Sequence, residues 1–157
     1  MNLYIKQHVF TWADKFSVYD EKGNEIFYVK GEAFSFGKQL RIYDLSGNEL
    51  AYIEQKVFSF RPRFFVYRNG NEVAEIVARF GFFKQEYFIS GPDWNVTGDF
   101  FGHCYEITDC GMSIASISKE WFSWGDTYAI SIADGIDEIN ALAVVIAIDA
   151  AIDTANN

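Results

Sequence analysis

Residues 139–153 read INALAVVIAIDAAID. From Ala141 to Ile148 no side chain carries a polar atom, so this stretch must cross a membrane, lie in a sheet or sit inside the protein. A spanning helix needs about 20 apolar residues. This run is shorter, is flanked by Asp137, Glu138, Asp149 and Asp153, and has no Lys or Arg at either end. The charges that orient a spanning helix are therefore missing. Its length and the six alanines between Ala141 and Ala155 favour helix over strand, despite Val144, Val145, Ile146 and Ile148. Asp134 or Asp137 can cap its start, and Asp137 and Glu138 suit the positive end of the helix dipole. The pattern predicts a helix from about Asp137 to Ala151.

That helix has no polar stripe, because eight consecutive apolar residues cover more than two turns. A helix of this kind outside a bilayer is buried all round. A helix lying on an open sheet would keep one wet side, whereas a closed barrel of eleven or so strands can surround it. Burying Ile139, Leu142, Val144, Val145, Ile146, Ile148 and Ile152 contributes on the order of 10 kcal/mol, comparable with a whole domain's net stability. Leu142, Val145, Ile146 and Asp149 are the structural residues expected to hold this helix in place.

The rest of the chain supplies the wall. A unit recurs at a spacing of 24 residues, as FSVYDEKGNEIFYVKGEAFSFGKQ from Phe16, LRIYDLSGNELAYIEQKVFSFRPR from Leu40 and FFVYRNGNEVAEIVARFGFFKQ from Phe64. A weaker copy, CYEITDCGMSIASISKEWFSWGD, starts at Cys104. Each has a β-rich run, a Gly/Asn turn, a second run and an aromatic corner, which together read as a β-hairpin. Twelve strands are expected, centred on Tyr4, Val18, Phe27, Ile42, Tyr52, Val66, Ile76, Phe88, Val96, Ile107, Ile117 and Ile130. In TYAISIA, Tyr128, Ile130 and Ile132 alternate with polar or small residues, which marks one buried and one wet face. The predicted fold is mainly β, a closed, roughly twelve-stranded antiparallel barrel enclosing a hydrophobic C-terminal helix, with residues 1–157 forming one domain.

Composition narrows the function. Half of the 157 residues are apolar and 18% are aromatic, which excludes a disordered chain. Residues 1–86 carry 12 basic and 11 acidic side chains, whereas residues 87–157 carry one and 11. A net charge of −9 argues against nucleic acid, since phosphate neutralisation requires a basic face. The opening residues lack a basic segment followed by an apolar run, so no signal peptide is expected and the cytoplasm is the expected location. Cys104 and Cys110, on one extended strand, would stand roughly 20 Å apart, too far to bridge.

No catalytic pattern stands out. His8 and His103 fall in no HExxH or triad spacing, and no P-loop or GxGxxG is present. His103, Cys104 and Cys110 fall short of a zinc site, so packed cysteines and a surface histidine are expected, with no metal or cofactor. The acidic group Asp134, Asp137 and Glu138 lacks a calcium-loop pattern and reads as a helix cap.

The corners FSFGKQLR, FSFRPR and FGFFKQ are the most suggestive feature. Hairpin pairs in an up-and-down barrel put equivalent corners at one end. Phe34, Phe36, Phe58, Phe60, Phe82 and Phe83 would gather there with Lys38, Arg41, Arg61, Arg63 and Lys84. Aromatics beside cations can meet an anionic phospholipid surface or a protein partner. The plainer expectation is that the aromatics plug the barrel end and the cations solvate it. The fourth corner, WFSWGD, places Asp126 where the others have a cation.

DWNVTGDFFGHCYEITDCGMSIASISKEW (93–121) and TYAISIADGIDEINALAVVIAIDAAID (127–153) carry a resemblance. With the hairpin copies, the chain resembles the LOR family of the tubby C-terminal-like group over nearly its whole length. The most specific part is Trp94, the Tyr105–Asp109 strand, Ala115-x-Ile117-x-Lys119-x-Trp121 and the apolar helix ending near Asp149. The resemblance implies a twelve-stranded barrel threaded by its C-terminal helix, and no enzyme activity. Fold-level relatives include phosphoinositide-binding tubby proteins and phospholipid scramblases, but no lipid-binding motif carries over. The expected role is a non-catalytic binding or structural domain. The alternatives are a protein–protein interaction module and an enzyme acting on a small hydrophobic ligand beside the helix.

Overall fold

The computed structural model describes residues 1–6, 15–34, 36–80, 85–100, 102–122 and 125–156. Alternating apolar side chains build twelve strands: β1 (Asn2–Lys6), β2 (Lys15–Tyr19), β3 (Glu25–Phe34), β4 (Gly37–Asp44), β5 (Glu49–Gln55), β6 (Arg63–Arg68), β7 (Asn71–Phe80), β8 (Gln85–Ser90), β9 (Trp94–Asp99), β10 (Cys104–Asp109), β11 (Met112–Phe122) and β12 (Gly125–Ile132). All are antiparallel and each pairs with its neighbours in sequence. Pairing of β1 with β12 closes the barrel, from Asn2↔Ser131 to Lys6↔Thr127. One helix, α1 (Glu138–Asn156), follows β12 and runs down the interior.

The repeat survives in the backbone. The ladder slips by one residue at Val18/Tyr19, Ile42/Tyr43 and Val66/Tyr67, the same place in each copy, and again at Ile107/Thr108. Such bulges bend a strand and sharpen its twist, which helps a wide sheet curl shut. The turns beside them follow from local chemistry. The Asp20 carboxylate accepts from the backbone N–H of Lys22 and Asn24, and Asp44 accepts from Asn48 in the next copy. The third copy shortens to Asn69-Gly70, both at positive φ (51° and 78°), as a two-residue hairpin turn demands.

Inward positions of the wall form one core with the helix. Leu3, Ile5, Val18, Leu40, Ile42, Ile53, Phe64, Ile76, Ile107 and Ile117 pack around Leu142, Val145 and Ile146, all essentially inaccessible. Every helix residue from Ala141 to Ile152 is buried, as the missing polar stripe requires. The helix starts under an N-cap: the Asn140 N–H donates to the Asp137 carboxylate at 2.9 Å, and the Arg68 guanidinium bridges Asp137 and Asn140. It continues five residues beyond the predicted end at Ala151, because no Gly or Pro stops it and Thr154 donates back to the Ala150 carbonyl. Among the described residues no helix is long and apolar enough to cross a membrane.

Candidate functional site

The barrel has two unlike ends. Tight hairpin turns and the helix start form one. The other is the corner end, where the connections β3–β4 and β5–β6 lie beside the last turn of α1. Val57, Phe58, Ser59 and Phe60 make the larger corner. Its feet are pinned, since the Lys56 N–H donates to the Arg63 carbonyl at 2.8 Å and the Ala78 N–H to the Pro62 carbonyl at 3.0 Å. The smaller corner packs alongside. Gly37 lies so close that a Cβ there would stand 3.4 Å from Val57 Cγ2, and the Lys38 N–H donates to Gln55 Oε1 at 3.0 Å.

The rings on these corners face outward. Phe58 is 97% exposed, Phe60 107% and Phe36 71%, with Val57 beside them. They do not plug the barrel, which α1 and the core already fill, so that expectation is corrected for these three rings. Phe58 has φ 62°, a left-handed conformation that a bulky side chain rarely adopts. The Phe34 side chain, Phe82, Phe83, Lys84 and the Asp126 side chain fall outside the described residues.

The predicted cations do not form one free basic cluster. Lys38 Nζ is 2.5 Å from Asp153 Oδ2 and ties the corner to the end of the helix. Arg63 Nε lies 3.0 Å from Glu75 Oε1. Arg41 is mid-strand on the outer wall, 2.9 Å from Glu49 and stacked over Tyr52, and takes no part in the corner end. Arg61 is exposed with no ion pair among the described residues. Lys56, not singled out from the sequence, is likewise exposed at the foot of the loop. Its position next to Val57-Phe58 was the available signal.

Inside the same end lies a polar cluster that the hydrophobic pattern did not announce. Asp149, 4% exposed, accepts from the Tyr105 hydroxyl at 2.9 Å, and His103 Nδ1 stands 3.7 Å away. Burial, reinforced by the Asp149 charge, pushes the Tyr105 phenol well above its ordinary range. The same causes push the Tyr87 phenol to about 12. Phe100 packs between these two tyrosines. The expectation of packed cysteines and a surface histidine is reversed. Cys104 occupies an outward position of β10 and Cys110 a turn at φ 47°, so both are exposed, while His103 is partly buried against Tyr128. His8 lies outside the described residues, and no cluster of metal-ligating side chains occurs among the described ones.

The LURP-one-related (LOR) family model matches residues 1–149, which takes in the wall and most of α1. The chain belongs to the LURP-one-related family. It is 36% identical over 149 residues to the uncharacterized protein YxjI of Bacillus subtilis (strain 168), covering 95% of this chain and 92% of that one. A crystal structure of an Arabidopsis thaliana protein superposes with a TM-score of 0.61, over 99% of this chain and 91% of that one, at 17% identity. The same barrel architecture thus accommodates very different sequences.

Proposed function

We propose that this LOR domain is a non-catalytic binding module that docks its corner end on an anionic lipid surface. The observation that carries the reading is the pair of almost fully exposed rings, Phe58 and Phe60, on a loop fixed at both feet. Lys56 and Arg61 flank the rings, each able to add about 1 kcal/mol against an anionic leaflet. Three phenyl rings present roughly 500 Å² of contact area. That falls short of the ~800 Å² per partner of a standard protein interface. It is ample for an interfacial anchor at about 25 cal/mol per Å². On this reading the domain works at the cytoplasmic face of a membrane, and the buried helix serves as scaffold.

Cosedimentation with phosphatidylserine-containing vesicles at low and physiological salt tests this. The protein should pellet at low salt, and Lys56→Glu with Arg61→Glu should weaken pelleting. Absence of binding at low salt removes the proposal.

A further inference from the structure

Resting on the lipid-docking reading, we infer that Phe58 and Phe60 form a preset wedge that selects loosely packed, strongly curved bilayers. Charge is a minor contributor at this end. Lys38 and Arg63 are already held by Asp153 and Glu75, while Asp149, Asp153 and the negative end of the helix dipole lie at the same end. Lys56 and Arg61 remain, in a chain of net charge −9. Attraction of this size is screened within a Debye length.

The rings, by contrast, stand ready before any contact. Phe58 holds a left-handed backbone at φ 62°, a conformation that persists only where the surrounding structure imposes it. The loop that carries it is fixed at its feet by two backbone hydrogen bonds and lies with Val57 against the Gly37 corner. Two rings on one narrow tip need a gap between headgroups. In a flat, tightly packed leaflet that gap must be opened, whereas in a small vesicle's outer leaflet it already exists. Binding through apolar insertion is therefore curvature-sensitive.

The test uses the full chain with small sonicated and large extruded vesicles of one dioleoyl phosphatidylcholine–phosphatidylserine mixture, at equal outer-leaflet lipid and physiological salt. Binding should be about tenfold tighter to the small vesicles. The Phe58→Ser/Phe60→Ser double variant should lose this preference while keeping its circular dichroism spectrum. Phe58→Gly separates fold from function, because relieving the strained φ should raise the melting temperature while binding weakens. Equal binding to both vesicle sizes that disappears at physiological salt would overturn the wedge and leave charge-driven docking standing. No binding to either at low salt would overturn both. A dimer in analytical ultracentrifugation that the double variant dissociates, without lipid pelleting, would assign the rings to a second copy and overturn both as well.

Discussion

The Tyr105 hydroxyl, on β10, donates to the Asp149 carboxylate at 2.9 Å, joining the barrel wall to the helix at a depth where both side chains are buried. Tyr105→Phe leaves Asp149 in place and removes its donor. The cost of a buried group deprived of its hydrogen bond is about 1–3 kcal/mol. Thermal unfolding followed by circular dichroism should show a melting temperature lower by about 3–10 °C.

The same cluster sets an alkaline limit. The phenols of Tyr105 and Tyr87 hold their protons more tightly in the folded chain than in the unfolded one. Their contribution is therefore complete below pH ~10 and is lost as pH rises towards and beyond the Tyr87 value of about 12. Urea midpoints should fall across that window, and Tyr87→Phe should make the fall shallower.

Gly98 and Gly111 both have positive φ, yet they predict different outcomes. A Cβ at Gly98 would lie 2.6 Å from the Cys104 carbonyl oxygen and 2.7 Å from Tyr105 Cα, both backbone atoms that cannot turn aside. Gly98→Ala should cost about 4 kcal/mol or more and yield little soluble protein. A Cβ at Gly111 meets nothing within 4 Å, so Gly111→Ala should cost only the backbone strain of about 1–2 kcal/mol. Paired denaturant titrations check the contrast.

Asp137 caps α1 and pairs with Arg68. Burial alone would raise its carboxyl, but the hydrogen bonds from Asn140 and Arg68 outweigh it and hold the carboxyl below the usual value. Its contribution is present above the unfolded carboxylate range near pH ~4 and fades as pH falls through the depressed value. Asp137→Ala should cost about 1 kcal/mol at neutral pH, and the difference from the parent chain should narrow in acid.

Leu142 and Ile146 carry the strongest demand on the fold. Leu142→Ala should cost about 2–5 kcal/mol. Removal of the helix from Asp137 onward should leave no folded, soluble chain, seen as loss of the folded fraction in size-exclusion chromatography. A truncated chain that still gave a cooperative melt would contradict the central place assigned to the helix.

The wall and the helix were legible in the sequence because both are written in local pattern. All twelve expected centres fall within strands, and the bulges recur in step with the 24-residue unit. The helix was predicted to end at Ala151 but runs on to Asn156, and the two acids of its last turns, Asp149 and Asp153, are held by contacts that no local pattern shows. Their partners, Tyr105 and Lys38, lie far away in the chain and become visible only once the barrel is closed. The same limit applies to the cations. Arg63 and Glu75 pair across β6 and β7, so whether a corner arginine is free depends on strand register and not on composition. The sequence reading offered the corner rings as either exposed or plugging the barrel, and it could not give the left-handed backbone at Phe58, since nothing in FSFRPR fixes the sign of φ.

Closure by β1 and β12 has a consequence for how the chain is made. Asn2 cannot meet Ser131 until residue 131 has left the ribosome. Until then β1 presents an unpaired edge to solvent, and every nascent intermediate is an open sheet of local hairpins without the rod that fills it. Hairpins can form one after another during synthesis, but sealing of the ring and burial of the helix come last. Within this domain the step most open to mispairing is accordingly the closure of β1 on β12 around the helix, and not the formation of the local hairpins.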